Sequence, residues 1–189
     1  IGASFYTANC HKWICSPKGA GFLWVDDYHR PTTRAAVVSH GYNDGWPGSR
    51  SAFHAQFDWT GTDDPTARLC VGTALQIMDE HRHGGWFGVR ASNHELVLKG
   101  RALIAQALQV ALPAPDNMIG SIASLPIPEH LAPGMSAFDL VEWLHTEWAI
   151  EVPISAWPSP ESRVFRISAQ QYNKLSDYER LASAFLSLA

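Results

Sequence analysis

The sequence of 189 residues predicts an α/β protein. Two short apolar, aromatic-rich segments near its beginning are typical of strands. Apolar residues then recur at helical spacing in two longer segments, and the rest of the chain alternates strand-like and helix-like patterns. The hydrophobic content of 46% is sufficient for a buried core.

The first part of the chain predicts strands separated by turns. Residues 3–10 and 20–26 have the composition of buried strands. Residues 35–41 (AAVVSHG) predict a third strand. Residues 42–50 (YNDGWPGSR) are dense in Gly, Pro, Asn and Asp and therefore predict a loop.

Two helices are predicted next. The first begins at Asp64, because its carboxylate can cap free amide groups and Pro65 fits the first turn without needing a donor. Gly84 and Gly85 end this helix. The second helix covers residues 86–112, and the prolines that follow stop it.

The remainder predicts two more helices and three more strands. One helix begins at Ser136, with Asp139 at the acidic position of a capping box. The last helix begins at Ser176, with Glu179 at the same spacing. The strand-like segments are residues 118–127, 150–157 and 162–169.

Charge, hydropathy and cysteine content argue against several classes of protein. The formal net charge of −4, without a cluster of Lys and Arg, argues against nucleic-acid binding. No apolar run approaches the roughly 20 residues that cross a bilayer, so we expect no membrane span. Cys10, Cys15 and Cys70 are an odd number without disulfide-framework spacing, so we expect a reducing cytoplasm. The chain begins with Ile and enters an apolar stretch at once, so we expect it to be part of a longer protein.

Lys12 is the first candidate catalytic residue. A lysine acts as a covalent catalyst when its amine is neutral, and burial or a nearby cation favours that state. Trp13 and Ile14 are expected to bury Lys12, while His11 and Lys18 would favour an anion close by. A solvated lysine beside a turn is the alternative.

The segment NCHKWICSPKGAGFLWV resembles the cofactor-lysine segment of the class V aminotransferases. These are fold-type I enzymes that use pyridoxal 5′-phosphate (PLP), and the segment is most similar to their isopenicillin N epimerase-like branch. The resemblance implies that Lys12 forms the Schiff base with the cofactor aldehyde and later shuttles the proton at the substrate α-carbon. It also implies that Asn9 and His11 contact the cofactor phosphate.

The resemblance also implies a fold, namely the C-terminal part of a fold-type I PLP-dependent transferase. Residues 1–88 would form the end of the large PLP-binding α/β domain. Residues 89–189 would form a small α+β domain that starts with a long linking helix. The family resemblance further implies a homodimer with its active site at the subunit interface.

A second motif, WTGTDDP, precedes the first predicted helix. Amide groups, a hydroxyl and the positive end of a helix dipole together suit a phosphate. The resemblance implies that Gly61 and Thr62 reach across the dimer interface to the partner's PLP phosphate. A simple helix cap is the alternative, and Asp63 and Asp64 must point away for a phosphate to approach.

Arg166 lies in the strand-like segment VFRISAQQYN. An arginine among alternating apolar residues needs a partner, because its guanidinium does not lose its proton. A ligand carboxylate supplies one through a bidentate pair. In the family that the sequence resembles, this arginine holds the substrate α-carboxylate. A structural salt bridge is the alternative.

Other polar and aromatic residues are weaker candidates. His81 and His83 form an H-x-H pattern without acidic or cysteine partners at ligand spacing, so we expect a polar helix end and no metal site. Tyr42, Trp46 and Trp59 are candidate residues of the substrate pocket.

The expected function is that of a PLP-dependent enzyme acting on an amino acid by epimerase, C–S lyase or aminotransferase chemistry. A persulfide-forming desulfurase is disfavoured, because desulfurases of this class need a cysteine nucleophile on a mobile loop well downstream of the lysine, and no cysteine follows Cys70. In the family, several cofactor contacts lie upstream of the lysine, so we expect residues 1–189 alone to bind PLP weakly. The alternative is a non-catalytic relative or a dimerisation module that keeps the fold.

Overall fold

A computed structural model describes residues 2–43, 48 and 51–188, and the chain divides into two units. The first unit is Ile1–Glu80 and the second is His81–Ala189. Together their helices and strands confirm the α/β class. None of the helices in the described part of the chain has the length and hydropathy needed to cross a bilayer. The domain boundary expected between residues 88 and 89 stays a prediction.

An antiparallel hairpin opens the first unit. Its strands are β1 (Phe5–Asn9) and β2 (Gly21–Val25), and they confirm the two strands predicted there. The connection between them is closed by two backbone hydrogen bonds. The amide of Cys10 donates to the carbonyl of Ala20 at 3.0 Å, and the amide of Ser16 donates to the carbonyl of Cys10 at 3.1 Å. Residues 11–19 therefore form a tight loop between β1 and β2.

The third strand predicted for this unit, at residues 35–41, is wrong. Val37 and Val38 are exposed, and no strand lies beside them in the described part of the chain. Gly41 instead packs so closely on the carbonyl of Ala55 that an added Cβ would lie 1.9 Å from its oxygen. The helices of this unit are α1 (His40–Asn43), α2 (Ala52–Asp58) and α3 (Thr66–Glu80).

The start of α3 confirms the predicted cap. The carboxylate of Asp64 accepts a hydrogen bond from the amide of Thr66 at 2.9 Å. The helix ends at Glu80, before the predicted glycines. Most of the loop predicted at residues 42–50 lies outside the described residues, and so does Trp46.

The second unit is a three-stranded antiparallel sheet packed against helices. The strand order is β3–β5–β4, and residues of both hydrogen-bonded pairs face each other in regular register. Buried residues of the sheet and of the helices form one core, in which Phe165 and Phe185 lie 4.8 Å apart between ring centroids. The elements are α4 (Gly85–Leu108), β3 (Ile122–Ile127), α5 (Ala137–Trp148), β4 (Ile154–Ala156), β5 (Arg163–Ser168) and α6 (Leu175–Leu186).

Two helix ends in this unit differ from their predictions. The helix predicted at 86–112 ends at Leu108, because Gln109 adopts the left-handed conformation (φ 54°) and its amide returns to the carbonyls of the last turn. In the last helix, the carboxylate that accepts from the amide of Lys174 belongs to Asp177, at 2.9 Å, and not to Glu179. The capping box of Ser136, by contrast, is confirmed.

Candidate active site

Lys12 lies in the tight loop between β1 and β2. The amide of Cys15 donates to the carbonyl of Lys12 at 3.2 Å, and Cys15 itself has a φ of 60°, so the backbone turns sharply here. Lys12 is exposed, and so is Trp13, at 36%. The expectation that its two neighbours would bury Lys12 is therefore wrong in this chain.

The residues beside Lys12 offer polar groups to a ligand. The Nδ1 atom of His11 is buried and has no hydrogen-bond partner among the residues that the structure describes. Leaving a buried polar atom unpaired is costly, so a ligand oxygen at this point would be stabilising. Asn9 is the last residue of β1 and is exposed. This local arrangement fits a lysine-bound cofactor that carries a phosphate.

Gly61 and Thr62 lie in the loop before α3. Gly61 has a φ of 123°, and an added Cβ would meet no atom within 4 Å, so space is open around it. Thr62 is exposed. The loop therefore presents its backbone and the threonine hydroxyl to its surroundings, ahead of the positive end of the α3 dipole.

The two aspartates that follow are both engaged in local interactions. The carboxylate of Asp63 accepts two hydrogen bonds of 2.8 Å from the guanidinium of Arg68, and these hold its pKa below the ordinary value. Asp64 accepts from the hydroxyl and the amide of Thr66, which likewise lowers its pKa. Their negative charges are thus directed to partners on α3.

The lysine segment and the start of α3 lie against each other. The hydroxyl of Ser16 donates to the carbonyl of Ala67 at 3.4 Å, and a Cβ added at Gly19 would lie 3.5 Å from Ala67 Cβ. Asn9 and Arg68 also line one cavity of about 660 Å³ between the hairpin, α2 and α3. The first unit therefore brings the segment of Lys12 close to the helix that follows Gly61 and Thr62.

Arg166 lies on β5 in the second unit. It faces Ser124 of β3, and its amide donates to the carbonyl of Pro153 at 3.1 Å. Arg166 is exposed and lines a cavity of about 400 Å³ together with Tyr172. Its guanidinium makes no ion pair with the residues that the structure describes. The structural salt bridge considered above is therefore not found there, and the guanidinium remains accessible to a carboxylate.

Sequence reasoning missed two groups near these residues. Arg68 was not recognised as the partner of Asp63, because their separation of five residues is not one of the helical spacings, three or four residues, that predict an ion pair. Tyr172 was not singled out either, although it follows Arg166 in the same motif. Gln170 and Gln171 do not continue the alternating pattern of the strand, so that pattern gave no reason to select Tyr172.

Comparisons with known proteins relate the whole chain to one family. No family model matches it. Over 204 residues it is 31% identical to the probable chloroplastic L-cysteine desulfhydrase of Arabidopsis thaliana, covering 100% of this chain and 40% of that protein. It is 28% identical to the isopenicillin N epimerase of Amycolatopsis lactamdurans, covering 100% of this chain and 48% of that protein.

A solved structure shows the same fold. The apo cysteine desulfurase from Thermococcus onnurineus NA1 superposes with a TM-score of 0.72 at 18% identity, covering 98% of this chain and 47% of that one. The chain thus spans less than half the length of these relatives. Along its whole length the chain is thus homologous to L-cysteine desulfhydrases and isopenicillin N epimerases, matches their C-terminal part, and has the fold of the class V PLP-dependent cysteine desulfurases and aminotransferases.

Proposed function

We propose that residues 1–189 supply the cofactor lysine and the carboxylate-binding arginine of a PLP-dependent enzyme acting on an amino acid. The observation that carries the proposal is the turn after β1, which leaves Lys12 accessible next to His11, whose buried Nδ1 has no hydrogen-bond partner among the described residues. Bound PLP supplies an electron sink that weakens the bonds at the α-carbon of an amino acid.

In this proposal each residue has a defined task. The Nζ atom of Lys12 holds the cofactor aldehyde and later carries the proton to and from the α-carbon. Asn9 and His11 bind the cofactor phosphate. In a homodimer, Gly61 and Thr62 bind the phosphate of the PLP that the partner subunit holds. The ion pair of Asp63 with Arg68 supports this role, because it neutralises a charge that would repel the phosphate.

Arg166 is proposed to bind the α-carboxylate of the substrate. Support comes from its exposed guanidinium, which has no ion-pair partner in the described part of the chain, and from the adjoining cavity. A fork of two parallel N–H groups matches a carboxylate in geometry and charge. Such a pair would fix the orientation of the α-carbon.

C–S lysis is the reaction that we propose first, with release of sulfide from L-cysteine. The support is the 31% identity, along the whole chain, to a protein described as an L-cysteine desulfhydrase. Epimerisation at the α-carbon is the second candidate, because an isopenicillin N epimerase is 28% identical over the same length. We further propose a cytoplasmic location, since three cysteines without the spacing of a disulfide framework are typical of a reducing compartment.

Exposure of Lys12 also supports a proposal about residues 1–189 in isolation. A cofactor attached to an exposed lysine is held by one covalent bond and by the phosphate contacts alone. We propose that this stretch alone attaches PLP weakly and turns over little substrate.

The test uses the purified full-length protein incubated with PLP and then desalted. We expect visible absorbance of the lysine-bound cofactor, and sulfide on addition of L-cysteine. Inversion of the α-carbon without sulfide would favour the epimerase. Lys12→Ala should abolish both signals, whereas Lys18→Ala, six residues away, should keep them. A protein that retains no PLP would instead be the non-catalytic relative.

A further inference from the structure

The turn after β5 holds an exposed tyrosine between two anchored neighbours. The side chain of Gln171 reaches back to α4, where its Nε2 donates to Asn93 Oδ1 at 2.5 Å and to the carbonyl of Val89 at 3.2 Å. Its Oε1 accepts from Arg82 Nε at 2.6 Å. Three polar contacts therefore fix the residue that precedes Tyr172.

Gln170 and Asn173 fix the backbone of the same turn. Gln170 is 5% exposed, and its Oε1 accepts from Asn93 Nδ2 and from the amide of Gln171, both at 2.9 Å. The amide of Gln170 donates to Asn173 Oδ1 at 3.0 Å, and the amide of Asn173 returns to the carbonyl of Gln170 at 2.9 Å. Buried, mutually satisfied amides of this kind hold a single conformation.

Tyr172 itself is 76% exposed. Burial in the core therefore does not account for a large aromatic ring at this position. The ring lines the cavity of about 400 Å³ that Arg166 also lines. The turn fixes the backbone from which the ring projects, so little backbone freedom is lost when a ligand binds there, which favours recognition.

We propose that Tyr172 is a specificity-determining residue whose ring contacts the side chain of the amino acid that Arg166 holds by its α-carboxylate. This inference rests on the proposed function. The ring is an apolar, polarisable surface, so the side chains that it favours are apolar or sulfur-containing ones, because sulfur makes favourable contacts with aromatic rings. Side chains of the same shape that carry a hydroxyl instead of sulfur gain less from this contact.

The test compares L-cysteine with L-serine, which differ by sulfur and oxygen alone. The readout is kcat/KM for exchange of the α-proton in deuterated water, in full-length protein loaded with PLP. This exchange reports removal of the α-proton whether the later chemistry is lysis, epimerisation or transamination. Tyr172→Ala should lower the ratio of L-cysteine to L-serine about fivefold. Tyr172→Phe, which keeps the ring, should retain the ratio.

The matched control is Phe138→Ala, which removes a ring of similar exposure, 74%, on α5. It should leave the ratio unchanged, and thermal unfolding should show that all variants are folded. An equal fall for both amino acids in Tyr172→Ala, or an unchanged ratio, would overturn the inference while leaving the proposed function intact. Wild-type protein that attaches PLP but exchanges no α-proton, or that attaches none, would overturn the proposed function and the inference with it.

Discussion

The carboxylate of Asp63 is bound by the guanidinium of Arg68 through two hydrogen bonds of 2.8 Å, directly after the loop of Gly61 and Thr62. Without this pair, a carboxylate would lie next to the amides proposed to bind a phosphate. The pair neutralises that carboxylate at the surface, where both side chains are 46% exposed.

Arg68→Gln should weaken binding of PLP to the full-length protein. The freed charge of Asp63 would repel the phosphate, and at surface separations we expect the dissociation constant to rise about fivefold at low salt. Fluorescence titration with PLP measures it. The double variant Arg68→Gln/Asp63→Asn should restore binding, and equal dissociation constants for wild type and Arg68→Gln would show that the loop does not meet the phosphate.

Arg166→Gln should impair substrate binding more than cofactor binding. Loss of a charge-assisted pair costs about 2 kcal/mol, so KM for the amino acid should rise about 30-fold while PLP absorbance is kept. Steady-state kinetics measures this effect. Arg180→Gln is the control, because this arginine lines the same cavity but donates to the carbonyl of Trp148. A larger rise in KM for Arg180→Gln than for Arg166→Gln would show that Arg180, and not Arg166, binds the substrate carboxylate.

Gly100→Ala should destabilise the second unit. Helices α4 and α6 approach so closely that a Cβ at Gly100 would lie 2.7 Å from two ring carbons of Tyr178. The ring cannot easily move, because its hydroxyl donates to the carbonyl of Ser168 at 2.8 Å. We expect a loss of about 1–3 kcal/mol in chemical denaturation.

Gly72→Ala is the matched control for that substitution. Gly72 lies inside α3, and a Cβ there would meet no atom within 4 Å. Alanine favours a helix interior over glycine by about 1 kcal/mol, so this variant should be as stable as the wild type or more stable. A similar loss for both variants would contradict the close approach of α4 and α6.

Tyr178 should make the stability of the protein depend on alkaline pH. Burial, and secondarily the charge of Asp177, raise the pKa of Tyr178 to about 12. In the unfolded chain the pKa is about 10, so the unfolded state loses the proton first. The free energy of unfolding should therefore fall as pH rises from about 10 to 12.

Denaturation across that pH range in Tyr178→Phe measures this contribution. The variant lacks the ionisable hydroxyl, so its free energy of unfolding should fall less steeply than that of the wild type. Identical slopes in the wild type and Tyr178→Phe would show that the ring is not buried.

The elements of the fold were predictable where local chemistry decides them. Ser136 and Asp139 form the predicted capping box because both partners lie within one helical turn. The strand prediction at 35–41 was wrong because the described part of the chain offers its β-branched residues no strand to pair with, and strand pairing is not encoded locally. The end of α4 at Leu108 was missed because Gln109 adopts a left-handed conformation that more often indicates glycine.

The sequence predicted which residues form the candidate site better than it predicted how buried those residues are. The motif around Lys12 identified the family, and the comparisons confirmed that family. The predicted burial of Lys12 by Trp13 and Ile14 was wrong, since apolar residues next to a lysine in the sequence need not cover its side chain in a turn. The role of each site residue stays a prediction.

The position at which PLP is attached is the most direct test of the proposal that Lys12 binds the cofactor. Full-length protein loaded with PLP is reduced with borohydride, digested, and analysed by mass spectrometry for the phosphopyridoxyl group. We expect this group on Lys12, within the peptide that contains it, and not on Lys18. Labelling of Lys18 or of a lysine in the second unit, or spread over many lysines, would contradict it.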